Sequence, residues 1–403
     1  MNVFITDGNQ RTALAVTRSL GRRGIEVLVG EEKGGSLASS SKYCSSHVTY
    51  PSPYRAPEEF YRFLLNFVQQ NRVDLVIPMT DVTTYLISQR KEKFQSYTLL
   101  PIPDFKNFDF ISDKWCLLKH AQEIGIPIPR THFIQGLEGL EVLSNRLDYP
   151  VVVKPSRSKI LTQNGWISTS VHYVKSMREL LRLYQEKEYL RYPSMVQERI
   201  VGPGVGIFVL FNRGELVTVF SHMRLREKPP SGGVSVLRKS IPVDPNLKEY
   251  AKRLFMPLGW HGVAMMEYKL DQTTKKHLLM EVNGRFWGSL QLAIDAGIDF
   301  PYLLYQLATD GSVEAPKAYR VGIKNRWFLG DLDHTLLRLF KKDQDLHLPE
   351  GFSSKTRTLI QFLKFYETGL HYEVLSLKDP RPFFYELLLY IKALFRDKKR
   401  FND

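Results

Sequence analysis

The 403-residue chain is 43% hydrophobic and 12% aromatic, which is too long for one simple core and fits two or three folded domains. Its formal net charge of +14 is spread along the sequence, and no helix-turn-helix, zinc-finger or RNP-type pattern accompanies it, so nucleic acid is not the expected ligand. No apolar run is long enough to cross a bilayer. The two cysteines, Cys44 and Cys116, have neither disulfide-framework nor metal-site spacing, so a reducing, cytoplasmic location is expected.

The chain opens on Val3-Phe4-Ile5-Thr6, a buried strand rather than a secretory leader. Gly8-Asn9-Gln10 turns into a helix over 11–23, with Gly24 as its cap. A strand over 26–29, a helix over 57–71 and a third strand over 74–78 follow. This alternation predicts a parallel α/β domain over residues 1–110. The first turn is Asp7-Gly8-Asn9-Gln10-Arg11, not G-x-G-x-x-G, so dinucleotide binding is not indicated. Asp81 follows the third strand at its carboxyl end, where open α/β sheets place ligand contacts or where it would cap the next helix.

A helix from Asp113-Lys114 to Gly125 leads into Ile126-Pro127-Ile128-Pro129, an extended crossing. Then come the strand Val151-Val152-Val153-Lys154-Pro155, a loop over 156–166, a strand over 171–174, a helix over 176–189 and a strand over 195–200. Strands over 206–211, 215–222 and 235–241, and a helix over 245–258, precede two further strands. The remainder, about 320–403, reads as helical and more basic. Its last helix is rich in Phe and Leu and ends in Arg396, Lys398, Lys399 and Arg400. It is either packed on the core with a frayed basic end or lies at an anionic lipid surface.

The chemistry concentrates in Glu267, Glu281 and Asn283. Residues two apart on a strand share a face, so Glu281 and Asn283 converge, and Glu267 joins them across a hairpin closed at 271–275. Three hard oxygen ligands leave positions for water and phosphate oxygens, which suits Mg²⁺. Arg285 falls on the same face, and a guanidinium there suits a carboxylate or an acyl phosphate. Upstream, Arg224 and Arg226 alternate onto one face before Ser231-Gly232-Gly233, a loop that lets backbone approach a ligand. Trp287, Gly288 and Ser289 either line a substrate mouth or start a helix. His261 reads as structural.

The ordered set Asp113-Lys114, Val-Val-Val-Lys154-Pro, Gln197-Glu198-Arg-Ile200, Glu267 and Glu281-Val-Asn283-Gly-Arg285 resembles the ATP-grasp superfamily over about residues 1–310. It looks most like carboxylate–amine ligase-like members, and is more distantly similar to carbamoyl phosphate synthetase, biotin carboxylase and D-alanine–D-alanine ligase. The resemblance implies an α/β pre-ATP-grasp domain at 1–110 and an α+β ATP-grasp domain at 111–312, whose two subdomains clamp ATP. The small lid is placed at about 149–203, and a helical basic extension follows at 313–403.

The resemblance also implies roles. Lys114, Lys154 and Ser156 would touch ATP phosphates. Main chain at Gln197, Glu198 and Ile200 would read adenine between apolar walls from Met195, Val196 and Met266. Glu267, Glu281 and Asn283 would hold Mg²⁺ or Mn²⁺, and Arg285, Arg224 and Arg226 would serve the reacting carboxylate. The phosphate-covering loop departs from the family, with one glycine among Ser156–Trp166 where small residues are usual. The implied reaction joins a small carboxylate to an amine through an acyl phosphate. A carboxylating or carbamoylating enzyme and a non-catalytic ATP-binding regulator stay open, as do a homodimer and peripheral membrane or glycan association.

Overall fold

The computed structural model describes residues 1–136, 140, 143, 146–163, 165–349 and 351–400, the side chains of 396–400 excepted. Strands β1 (Asn2–Ile5), β2 (Glu26–Glu31), β3 (Ser46–Thr49) and β4 (Leu75–Ile77) form a parallel sheet in the order β3-β2-β1-β4. Helices α1 (Arg11–Gly21), α2 (Pro57–Gln70), α3 (Asp81–Ser88), α4 (Lys91–Phe94) and α5 (Phe105–Ser112) accompany it. Val3, Phe4 and Ile5 are completely buried, as expected of a central parallel strand covered on both faces. Strand β3 is additional to the three strands read from the sequence; its Ser46-His47-Val48-Thr49 is mostly exposed and carries little hydrophobic signal. Gly8 is required at the first turn, because a Cβ there would lie 2.3 Å from Ser36 Oγ.

Helix α6 (Lys114–Glu123) starts the second unit. Asp113 caps it by accepting from the N–H groups of Trp115 and Cys116 at 3.0 and 3.1 Å, which fixes Lys114 at the first helical position. A small antiparallel sheet then combines β5 (Thr131–Ile134), β6 (Val151–Pro155), β9 (His172–Val174) and β10 (Ser194–Glu198) in the order β5-β10-β6-β9. It occupies the segment expected to form the lid, but it begins about eighteen residues before the boundary read from the sequence, because the prolines ahead of β5 disguise that strand. Between β6 and β9 stands a two-stranded hairpin, β7 (Lys159–Thr162) and β8 (Gly165–Ser168), where the sequence suggested a loop. Buried Ile160 and the edge-on contact of Trp166 with Tyr85, centroids 5.4 Å apart, give the hairpin an apolar anchor on the N-terminal unit. Asn164, part of the expected loop, lies outside the described residues. Helix α7 (Met177–Glu186) covers the lid sheet.

The largest sheet has seven strands: β11 (Gly204–Asn212), β12 (Glu215–Lys228), β13 (Val234–Ser240), β14 (Gly262–Leu270), β15 (His277–Asn283), β16 (Lys324–Arg326) and β17 (Leu370–Tyr372). Their order is β15-β14-β11-β12-β13-β16-β17. Helices α8 (Pro245–Phe255), α9 (Leu290–Ala296), α10 (Phe300–Asp310), α11 (Phe328–Phe340), α12 (Lys355–Phe362) and α13 (Arg381–Arg400) complete the chain.

The region after 313 is therefore not a helical appendage. It supplies two strands to the largest sheet, and Lys324-Asn325-Arg326 and Leu370-His371-Tyr372 are too short to show a hydrophobic pattern by which to read them. Buried ion pairs weld it to the rest. Arg238 and Arg11 meet Glu373 at 2.8 and 3.1 Å, and Arg18 meets Asp379 at 2.8 Å. Among the described residues no helix is long and apolar enough to cross a membrane.

Candidate functional site

A cleft of about 1080 Å³ opens where the three sheets meet. Its acidic floor comes from β14 and β15. These strands pair antiparallel with Glu267 directly opposite Glu281, and the register shifts just beyond. Two like charges facing each other across a ladder are unfavourable unless cations answer them. Here they do: Arg224 donates to Glu267, and Lys114 Nζ lies 3.2 Å from Glu281 Oε2. Asn283 donates to Glu281 Oε1 at 3.2 Å. The predicted oxygen set is thus brought together. Gly284 keeps it there, since a Cβ would come within 2.8 Å of Ile111 and Trp260 beneath the strand.

The electrostatics of the two carboxyls differ. Burial raises the Glu267 carboxyl, with Arg224 opposing and Glu281 adding to the rise. Burial also acts on Glu281, but Lys114, the Asn283 amide and Lys154 outweigh it and hold the group down at about 2. A hard-oxygen set of two carboxylates and one amide fits Mg²⁺ bound largely through phosphate and water. Among the described residues no cluster of three His, Cys, Asp or Glu side chains forms a complete protein cage.

Lys154 and Lys114 close the floor from the other side. Lys154 extends from β6 with Nζ 3.5 Å from Met280 Sδ, and desolvation lowers its ammonium to about 8 despite Glu281. Lys114 also donates to Ser158 Oγ at 2.9 Å, at the base of the β7–β8 hairpin. Ser156 does not line the cleft. It is buried, its N–H donates to Pro193 O at 2.9 Å, and its carbonyl accepts from the Lys114 N–H at 2.7 Å, so it holds Lys114 rather than reaching a ligand.

At the lid end, Gln197, Glu198, Arg199 and Ile200 line the cleft where β10 stops. The Gln197 amide N–H donates to Thr131 Oγ1 at 2.8 Å while its buried Oε1 has no partner among the described residues, and Glu198 Oε1 accepts from the Arg130 N–H at 2.7 Å. The Ile200 N–H, beyond the strand, has no hydrogen-bond partner among the described residues. The apolar walls are not those expected. Met195, Val196 and Met266 are buried in the cores, while Val152, Met265 and Met280 face the cleft. Strand alternation explains this: Met265 shares the face of Glu267, and Met266 points the opposite way.

The three arginines separate. Arg224 lies in the cleft, donating to Glu227 at 2.9 Å and to Gly233 O at 3.1 Å besides Glu267. Arg226 does not join it. Register shifts on both sides of Arg226 break the alternation, and its guanidinium makes a two-point pair with Asp331, at 2.6 and 2.5 Å, away from the cleft. Arg285 reaches the cleft and is clamped by Asp81, both bonds 2.8 Å, while also donating to Asn283 Oδ1 at 3.0 Å. Desolvation would lower its pKa, but Asp81 more than offsets this and raises it. Asp81 is not the helix cap, a task done by Thr80. It links the N-terminal unit to the strand carrying Asn283.

Trp287, Gly288 and Ser289 line the cleft, and Ser289 also starts α9. Ser231, Gly232 and Gly233 line it too, tied to the lid by the Tyr173 hydroxyl, which donates to Ser231 O at 3.2 Å. Sequence reasoning missed Glu227, Tyr173 and the segment Asp345-Leu346-His347. That segment enters from the C-terminal region, with the His347 ring stacked on Tyr173, centroids 5.5 Å apart, and the His347 carbonyl accepting from Arg199. No local pattern announces it. His261 stays outside the cleft, its imidazole lowered to about 4 chiefly by burial.

Residues 191–329 match the family described as ATP-grasp in the biosynthetic pathway with Ter operon. Among curated proteins none matches the chain by sequence. Three solved structures superpose over most of it. An L-amino acid ligase from Bacillus licheniformis is 20% identical with a TM-score of 0.59, covering 76% of this chain and 73% of its own. Biotin carboxylase from Campylobacter jejuni, in a β-γ-ATP complex, is 15% identical with a TM-score of 0.63, covering 80% and 74%. N5-carboxyaminoimidazole synthetase from Staphylococcus aureus, complexed with ADP, is 12% identical with a TM-score of 0.60, covering 86% of each chain. With a parallel sheet in front, a small four-stranded antiparallel sheet and a seven-stranded sheet bearing paired carboxylates, the chain has the ATP-grasp fold.

Proposed function

We propose that the protein is an ATP-dependent ligase that activates a small carboxylate as an acyl phosphate and joins it to an amine, releasing ADP and phosphate. The observation that carries this reading is the convergence of Glu267, Glu281 and Asn283 on one side of the cleft with Lys114 and Lys154 on the other. Such a clamp suits a polyphosphate: cations for the phosphate oxygens, and an all-oxygen set for a divalent ion between them. Glu267, Glu281 and Asn283 would hold Mg²⁺ or Mn²⁺, which when bound neutralises charge on the transferring phosphoryl group.

The chain's own residues orient the reactants. Lys154, already desolvated between Met280 and the acids, gives up little further hydration when it meets a phosphate oxygen. Backbone at Glu198–Ile200 meets the adenine edge, against Val152, Met265 and Met280. An incoming carboxylate competes with Asp81 for the Arg285 fork, with Arg224 nearby. One carboxylate oxygen attacks the γ-phosphorus, the bond to the β-phosphate oxygen breaks, and ADP leaves. The amine then adds to the acyl carbon, and phosphate departs with the C–O bond as the amine gives up a proton. The β7–β8 hairpin and the segment at 345–347 cover the two ends and keep water from the acyl phosphate.

Release of ADP from MgATP in the presence of pooled amino acids and small carboxylates, with hydroxylamine as trap, tests the proposal. Substrate-dependent ADP and hydroxamate, both lost in Glu281→Gln, are expected. Failure to bind ATP at all would overturn it.

A further inference from the structure

Helix α13 carries Phe384, Leu388, Ile391 and Phe395 at intervals of four, three and four residues, so they form one stripe. The stripe faces away from the protein: these side chains are 64%, 51%, 40% and 68% exposed. The other side of the helix is anchored. Glu386 accepts from the Trp327 indole at 2.8 Å, the Tyr390 hydroxyl donates to Asp333 at 2.5 Å, and the Tyr385 hydroxyl donates to Gly35 O at 2.6 Å. Phe383 packs on Phe328, centroids 6.2 Å apart. The same Phe328 ring touches Phe365 on this anchored side. Single exposed leucines are ordinary, whereas an outward stripe over three turns is not.

The margin of this stripe is basic. Lys392 stands four residues after Leu388 and Arg381 seven before it, which places both on the edge of the same face, and both are exposed. Residues 381–400 contain six basic residues (Arg381, Lys392, Arg396, Lys398, Lys399, Arg400) against two acidic ones, and one of the two, Glu386, is spent on Trp327. The side chains of the last four basic residues lie outside the described set.

We propose that α13 seats the protein on an anionic lipid surface. The helix lies in the headgroup plane, with Phe384, Leu388, Ile391 and Phe395 dipping into the acyl boundary and Arg381 and Lys392 reaching back to lipid phosphates. It is too polar to span a bilayer. A second copy of the chain is the poorer occupant, because stripe-to-stripe pairing would press two basic margins together on chains of net charge +14.

Flotation of the full chain with phosphatidylcholine vesicles, with and without phosphatidylglycerol, tests this. Binding to the anionic vesicles alone is expected, weakening as salt rises. Leu388→Glu combined with Ile391→Glu should lower the partition coefficient at least about tenfold, and Lys392→Glu about fivefold or more at low salt. Both sites are exposed, so the variants should unfold at the parent temperature. No partition into anionic vesicles overturns the proposal. Equal, salt-insensitive binding to neutral vesicles overturns its anionic basis. A concentration-dependent dimer abolished by Leu388→Glu, without vesicle binding, assigns the stripe to a second copy and also overturns it.

Discussion

Two ionic networks in this molecule use the same chemistry to opposite ends. In the cleft, Lys114 meets Glu281, Arg224 meets Glu267, and Arg285 meets Asp81. On the C-terminal side, Arg226 and Arg326 share Asp331, Arg11 and Arg238 share Glu373, and Arg18 meets Asp379. Arg11 lines the cleft, but the rest of the second network is shut away from it. Asp331 and Asp379 are fully buried, and the spare N–H groups of Arg326 and Arg18 go to backbone carbonyls of Phe362, Lys364, Glu373, Val374 and Asp379. The cleft network has side-chain partners that can be exchanged and opens onto space large enough for a nucleotide. An ion pair speaks for function when another partner can reach it, and for architecture when backbone encloses it.

The largest effect should come from removing the cation on which the cleft acids are proposed to act. Chelation with EDTA should abolish substrate-dependent ADP release, and added Mg²⁺ or Mn²⁺ should restore it, while the unfolding midpoint barely moves. Persistent turnover in EDTA would refute the metal assignment. Glu281→Gln should then lower the rate of ADP release by about 10²–10³-fold. Its stability should stay close to the parent, since the loss of one of two opposed carboxylates offsets the loss of the Lys114 pair.

The sealed network should behave in reverse. Asp331→Ala leaves two arginines buried without their counter-charge and should cost about 3–5 kcal/mol in urea unfolding. ADP release per folded molecule should be unchanged. A large kinetic defect with intact stability would place Asp331 with the cleft instead.

Arg224 and Arg226 put the contrast on one strand. Arg224→Met should cut kcat/KM by about 10²-fold, as expected when a group beside the reacting centre is misplaced. Arg226→Met should cost about 1–3 kcal/mol of stability, because Asp331 keeps Arg326, and leave kinetics alone. The two residues look equivalent in the sequence because strict strand alternation puts both on one face, and the bulge that separates them has no residue signature there.

The same limit governs legibility elsewhere. Glu267, Glu281, Asn283, Lys114 and Lys154 could be found because each sits in a strongly patterned element, either a run of apolar residues or a capped helix start. Met266 is expected at the apolar wall where Met265 stands, one residue out of strand phase, and the other walls, Val152 and Met280, come from β6 and β15 rather than from β10. Strands β16 and β17, the hairpin at β7–β8 and the cleft segment at 345–347 are invisible because they are short and positioned by distant partners such as Arg238, Tyr85 and Tyr173. Local pattern reports what an element buries on its own, and these pieces bury little until the rest of the sheet is there.

The mildest expected effect separates backbone from side chain at the adenine end. Ile200 follows the end of β10, lines the cleft and has an N–H free of protein partners among the described residues. If that N–H meets the base, truncation to Ile200→Ala removes only part of one wall and should change KM for ATP less than about threefold, since Val152, Met265 and Met280 remain. Ile200→Pro deletes the donor itself and should raise KM roughly tenfold, the scale of one well-placed hydrogen bond. The position lies outside any strand ladder, so proline breaks no sheet hydrogen bond, and a far-UV spectrum matching the parent would verify this. The ordering of the two variants is decisive. If alanine is the more damaging, the base is held by the side-chain wall, and the segment from Gln197 to Ile200 belongs with the sealed architecture rather than with the exchangeable partners of the cleft.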